Sequence, residues 1–148
     1  AYAGEALVGK YAGAADKHSL RRCVSHLFAW GWSLAAIFAF AYGVFNHEVM
    51  SLFSDKPEVV AFAAAYRWWI ALAPIAGMAA FIWDGVFVGL TATRQMLLSL
   101  AGATAVYFAI YFLSPFPDAN SSLWTAFLAY LAVRGAILWL CFARKNEY

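Results

Sequence analysis

The sequence predicts an all-α membrane protein, a polytopic helix bundle with four full transmembrane helices and the end of a fifth. The first observation is composition: 65% of the 148 residues are hydrophobic and 12% are charged, whereas a soluble domain is about half apolar and a quarter charged. The second is that several apolar runs reach the length of about 20 residues that a helix needs to cross a bilayer. The third is that charged and turn-forming residues fall mostly between these runs.

The chain is predicted to form one unit over residues 1–148, with its elements in a simple order. Residues 1–14 are too short to span and are interpreted as the end of a helix that stops at Gly13. Spanning helices are predicted at residues 23–46, 68–93, 96–117 and 121–143. Between the first two, Ser54, Asp55 and Pro57 predict a helix start near Asp55, because a cap residue followed by proline favours a helix N-terminus. This helix is expected to follow the interface and enter lipid at Trp68.

Charged residues predict the orientation of the bundle. Along an alternating path, one side of the membrane receives most of the basic residues: Lys17, Arg21, Arg22, Arg94, Arg144 and Lys145. Basic loops remain in the cytoplasm, so we expect an inner cell membrane protein with a cytoplasmic C-terminus. The net charge of +2, with no basic run, gives no support for a nucleic-acid partner.

Several kinds of chemistry find no support in the residues. Cys23 and Cys141 stand alone, which is unlike a disulfide framework or a metal site with clustered ligands. No Ser/His/Asp, Cys/His or phosphate-loop arrangement appears in the sequence. We therefore expect a protein that is not an enzyme and that needs no metal or organic cofactor.

Two opposite charges inside predicted spans are the best functional lead. Asp84 lies about 10 Å from the cytoplasmic end of its span and Arg134 about 14 Å from the end of its own, at 1.5 Å per residue. A charge at such a depth costs roughly 2.5–3.5 kcal/mol on insertion scales, and pairing is one way to tolerate it. The difference in depth is within reach of an arginine side chain, so an ion pair across the bundle interior is feasible.

Two interpretations of this pair remain open. In one, Asp84 and Arg134 form a permanent pair that fixes how two helices dock. In the other, Asp84 faces a polar cavity and binds a proton, a sodium ion or a cationic substrate, while Arg134 tunes it. Loss of hydration disfavours the charged form of a carboxylate, and a nearby guanidinium favours it. Which effect dominates at Asp84 depends on the distance between Asp84 and Arg134. A small self-assembling channel is a weaker third alternative.

Three further residues are candidates for a polar site. Glu5 lies about two turns before Gly13 and is a candidate for ion or substrate coupling, with an interfacial position as the simpler alternative. Tyr107 and Tyr130 lie within predicted spans and are candidates for lining a cavity, with packing as the simpler alternative.

Several segments together resemble a known family. The residues are Glu5 to Lys10 with Ala12 to Asp16 and Arg21-Arg22; Leu52 to Asp55 with Glu58-Val59; Trp83 to Thr93 with Met96; and Leu123 to Phe127 with Leu131 and Arg134-Gly135. In this order they resemble the C-terminal lobe of multidrug and toxic compound extrusion (MATE) transporters, particularly the bacterial DinF branch. The resemblance covers essentially the whole chain.

The resemblance implies a partial C-terminal lobe of a two-lobed secondary active antiporter. Such a protein exports organic, often cationic, compounds in exchange for protons or sodium ions by alternating access. Its expected partners are the lipid membrane, small organic cations and the N-terminal lobe, which is absent from this chain. A substrate cavity between two lobes requires both of them.

Overall fold

The computed structural model describes residues 2–113 and 118–144, which form seven α helices and no strand. The helices are α1 (Tyr2–Gly13), α2 (Lys17–Val44), α3 (Asn46–Phe53), α4 (Pro57–Ala65), α5 (Arg67–Gly89), α6 (Thr93–Leu113) and α7 (Ala119–Arg144). Four of them, α2, α5, α6 and α7, are long and apolar enough to cross a membrane. The predicted all-α polytopic bundle is confirmed.

The first long helix begins earlier than the apolar run does. Asp16 caps α2, its side chain accepting a hydrogen bond of 3.0 Å from the backbone N–H of Ser19. The helix therefore includes the basic turn before Cys23, where the span was predicted to start. At its other end, α2 stops at Val44 and the chain bends at Phe45 into α3, a short helix that the apolar pattern did not indicate.

The chain between α3 and the next span forms two helices instead of one. Pro57 occupies the first position of α4, two residues after the start expected near Asp55. The expected single helix is wrong, since α4 ends at Ala65 and α5 begins at Arg67. Entry into lipid at Trp68 stays a prediction. At the break, the backbone N–H of Tyr66 donates to the carbonyl oxygens of Ala63 and Ala64. In a regular α helix it would donate to the carbonyl four residues earlier.

Two similar tight turns connect helices on the same side of the bundle. The N–H of Asp16 donates to the carbonyl of Tyr11 after α1, and the N–H of Ala92 donates to that of Phe87 after α5. A residue with positive φ, Ala15 or Thr91, completes each turn. This capping pattern ends a helix within two or three residues. It explains why α5 stops at Gly89 and α6 begins at Thr93, where the sequence predicted spans ending at 93 and starting at 96.

Helix α5 lies at the centre of the bundle. It packs against α1, α2 and α7, while α6 packs mainly on α7 and α3 packs on α4. A buried hydrophobic cluster joins these central helices. Its members include Val8, Leu20, Val24, Trp83, Val86, Phe87, Leu138 and the free thiol of Cys23. Many large apolar side chains, such as Phe40, Phe62 and Phe112, are exposed on the outside. An apolar exterior of this kind is suited to lipid.

Residues 114–117 lie outside the described part of the chain, and so does the end of the predicted span at 96–117. The last helix, α7, covers the predicted span at 121–143. Its first turn begins after Asp118, whose carboxylate accepts a hydrogen bond of 3.1 Å from the N–H of Ser121.

Candidate functional site

The candidate site lies between α5 and α7, about one turn from a close contact of the two helices. A methyl group added to Gly135 would lie 3.1 Å from Cβ of Ala79 and 3.2 Å from the backbone nitrogen of Ala80. One added to Gly77 would lie 3.4 Å from Cδ1 of Leu131. Residue numbers rise together across these contacts, so the two helices run in the same direction. Small residues at such an interface allow two backbones to approach.

Asp84 and Arg134 form an ion pair across this interface. The distance between Nη2 of Arg134 and Oδ1 of Asp84 is 2.9 Å, within the range of a charge-assisted hydrogen bond. Gly135 contacts α5 near Ala79, so the arginine side chain extends about one turn along α5, toward Gly89, to reach Asp84. The structure therefore brings the two predicted charges together. Their role in ion or substrate coupling stays a prediction.

The pair is only partly closed off from its surroundings. The exposed fraction is 17% for the Arg134 side chain and 21% for that of Asp84. The Nε atom of Arg134 is buried and has no hydrogen-bond partner. A guanidinium carries five N–H donors, and only one contact to Asp84 is formed here. Both side chains therefore keep some exposed surface, and the hydrogen-bonding capacity of Arg134 is only partly used.

An aromatic cluster fixes the rotation of α5 beside the pair. The ring of Trp83 lies 4.9 Å from that of Phe28 on α2 and 4.9 Å from that of Phe142 on α7, measured between centroids. Phe87 makes a third contact at 6.1 Å. Because Trp83 is held on two neighbouring helices, the next residue, Asp84, keeps its orientation toward α7.

Glu5 is not brought into this site. It lies exposed on α1, and its carboxylate forms no ion pair within residues 2–113 and 118–144. The backbone of Glu5 does approach α5: its carbonyl oxygen would lie 2.7 Å from a methyl group added to Gly89. A coupling role for the Glu5 side chain stays a prediction.

The two candidate tyrosines lie on α6 and α7. Tyr107 on α6 stacks against Tyr111 with 6.2 Å between ring centroids, and it also contacts Phe108. Tyr130 is half-buried on α7. Packing explains the position of Tyr107 directly, and the cavity-lining role of both residues stays a prediction.

A cavity that sequence reasoning missed lies toward the other end of α5 and α7. Its volume is about 350 Å³, and its lining is almost wholly apolar. Pro74 and Ile70 contribute from α5, and the aromatic lining residues are Tyr42, Phe53, Phe81, Trp124 and Phe127. Aromatic residues are abundant in every span, so only Pro74 gave a signal in the sequence, as a helix-kinking residue.

Comparison with known proteins agrees with the predicted bundle of membrane helices. The sequence model of the MatE family matches residues 1–114. The chain is 28% identical to DNA damage-inducible protein F of Escherichia coli strain K12 over 138 residues. The aligned region covers 93% of this chain. The chain spans 30% of the length of that relative. No solved structure gives a significant match.

The family match covers well over half of the chain, and four helices have the length and composition of membrane spans. The resemblance to DinF-type proteins seen in the sequence is thereby confirmed. The chain is a multi-pass membrane protein and belongs to the MatE family.

Proposed function

We propose that this chain is part of a secondary active antiporter that exports organic, probably cationic compounds in exchange for protons or sodium ions. The observation that carries the proposal is the Asp84–Arg134 ion pair between two membrane-spanning helices of a MatE chain. Charged residues inside membrane spans are rare and costly, and they often mark ion or substrate pathways.

The pair supplies a physical basis for exchange. When a proton, a sodium ion or an organic cation occupies the Asp84 carboxylate, its attraction to Arg134 weakens. The contact that joins α5 to α7 then becomes weaker too, so occupancy of the carboxylate and helix arrangement are thermodynamically coupled. Two cations that compete for one carboxylate cannot occupy it together, as exchange requires.

Supporting features lie on both sides of the pair. The apolar, aromatic-lined cavity between α5 and α7 has the lining expected for organic compounds. The basic residues Lys17, Arg22 and Arg94 support an orientation with this side and the C-terminus in the cytoplasm of an inner membrane. An N-terminal lobe is the proposed partner that completes a central cavity.

The test is an efflux assay in membrane vesicles that contain the full-length protein. Asp84→Asn should abolish ion-driven efflux of an organic cation such as ethidium, while the amount of protein in the membrane stays constant. Asp55→Asn is the matched control, because Asp55 is an exposed carboxylate outside the spans. Efflux that is unchanged by Asp84→Asn would remove this carboxylate from the mechanism.

The alternative is a non-transporting bundle in which the pair only docks two helices. The close contact of Gly135 with Ala79 and Ala80 favours it, since this interface is tightly packed around the pair. It predicts that the wild-type protein shows no ion-driven efflux, that Asp84→Asn lowers stability, and that Asp84→Asn/Arg134→Gln restores stability. If the chain is part of an antiporter, the double variant recovers stability but does not recover efflux.

A further inference from the structure

A second cavity, of about 580 Å³, opens on the surface between α1 and α2. We call it the α1–α2 groove. Leu7 and Tyr11 line it from α1, and Ser19, Arg22, His26, Leu27 and Trp30 line it from α2. Neither Asp84 nor Arg134 lines the groove, and the groove has no part in the proposed exchange.

The lining changes from polar to apolar along the groove. Ser19, Arg22 and the ring of Tyr11 lie toward the turn between the two helices, while Leu27 and Trp30 lie further along α2. Trp30 follows Arg22 by eight residues, or about 12 Å along a helix. Because α2 crosses the membrane, this gradient runs along the membrane normal, from the interface into the hydrocarbon.

The polar end carries unneutralised positive charge. Among the described residues the sole ion pair joins Asp84 and Arg134, so Arg22 has no carboxylate partner. Asp16 is the nearest acid along the chain, and its carboxylate caps α2 by accepting from the N–H of Ser19. Lys17 and Arg21 add two further charges beside Arg22. The groove thus combines a cationic end at the interface with an apolar wall at acyl-chain depth.

We infer that the α1–α2 groove binds an anionic phospholipid of the leaflet that faces Arg22. The phosphate lies beside the Arg22 guanidinium and the Tyr11 hydroxyl, and an acyl chain lies along Leu27 and Trp30. Guanidinium groups bind phosphate through charge-assisted hydrogen bonds. A basic residue near the surface of an anionic bilayer gives a preference of about fivefold. This inference does not depend on the proposed transport function.

Trp30 makes the groove measurable, because bromine atoms on an acyl chain quench tryptophan fluorescence on contact. The full-length protein is reconstituted in phosphatidylcholine bilayers with increasing brominated phosphatidylglycerol or brominated phosphatidylcholine. The signal of Trp30 is the difference between the wild-type protein and Trp30→Phe. We expect brominated phosphatidylglycerol to quench Trp30 at about one-fifth of the concentration needed for brominated phosphatidylcholine.

Arg22→Gln should abolish this preference, and Arg94→Gln is the matched control. Arg94 is an exposed arginine on the same side of the bundle, at the start of α6 and outside the groove. If Arg22→Gln does not fold, Arg22→Lys keeps the charge without the bidentate geometry and should show an intermediate preference.

Four results would overturn the inference. Equal quenching by the two lipids would show no headgroup selectivity, and equal loss in Arg94→Gln would show only a surface-charge effect. Relief of quenching by inorganic phosphate would identify a soluble anion as the ligand. A Trp30 that no brominated lipid quenches would show that protein covers the groove.

Discussion

Arg134 follows Asp84 by fifty residues in the chain, yet its Nη2 atom lies 2.9 Å from the Asp84 carboxylate across two parallel helices. The pair replaces two isolated charges by a local dipole, which lowers the energetic cost of keeping both inside a membrane. Its hydrogen bonding is incomplete, since Nε of Arg134 is buried and has no partner.

Gly89→Ala should separate α1 from α5. A methyl group at this position would lie 2.7 Å from the Glu5 carbonyl oxygen and 3.0 Å from the backbone nitrogen of Gly9, and backbone atoms cannot rotate away as a side chain can. We expect the free energy of unfolding to fall by about 1–3 kcal/mol, the usual cost of overpacking. Denaturation in increasing SDS, followed by circular dichroism, measures it.

The control for that substitution is Gly13→Ala. Gly13 lies at the end of α1, and nothing lies within 4 Å of the position that its methyl group would take. The free energy of unfolding of the Gly13→Ala variant should be unchanged or slightly raised. Equal stability of Gly89→Ala and the wild-type protein would mean that α1 does not pack on α5 as described.

Asn46→Leu should stabilise the protein. Asn46 is 5% exposed, and both its Nδ2 and its Oδ1 are buried without a hydrogen-bond partner. A buried polar group without a partner costs about 1–3 kcal/mol of stability. Removing it should therefore raise the temperature of unfolding. Asn120→Leu, at an exposed position on α7, should leave it unchanged. A lower unfolding temperature for Asn46→Leu would show that the amide has a partner in the membrane.

The cap of α2 should make stability depend on pH in the acidic range. Hydrogen bonds from Ser19 lower the pKa of Asp16 below its ordinary value of 3.8. The unfolded chain then binds more protons than the folded one, so stability rises with pH in this window. The contribution of Asp16 is complete above about pH 3.8 and is lost as the pH falls through the lowered pKa.

Thermal unfolding of the wild-type protein and Asp16→Asn at pH 7, 5 and 3 measures this effect. The wild-type protein should be more stable at pH 7 and 5, and the difference should shrink at pH 3. A constant difference over the three values would show that the charge of Asp16 does not contribute.

The length of the apolar runs was enough to predict the bundle, because crossing a bilayer requires long apolar helices. The depth of Asp84 and Arg134 on two spans of the same direction was enough to suggest that they meet. Helix ends were predicted less well. Gly89 ends α5 through a tight turn at Thr91, which occurs inside a segment that is still apolar.

Features that depend on helix rotation could not be predicted. The contacts of Trp83 with Phe28 and Phe142 and the α1–α2 groove depend on which face of each helix points inward. Helices that are apolar on every side give little signal for this choice. The short helix α3 was missed because hydropathy over a span-length window does not detect eight residues at an interface.

The central claim is that Asp84 and Arg134 interact directly within the membrane, and a double-mutant cycle tests it most directly. The free energy of unfolding is measured for the wild-type protein, Asp84→Asn, Arg134→Gln and the double variant. The account predicts that each single substitution destabilises and that the double variant is more stable than the sum of the two effects implies, with a coupling energy above about 0.5 kcal/mol. Strictly additive effects would contradict it.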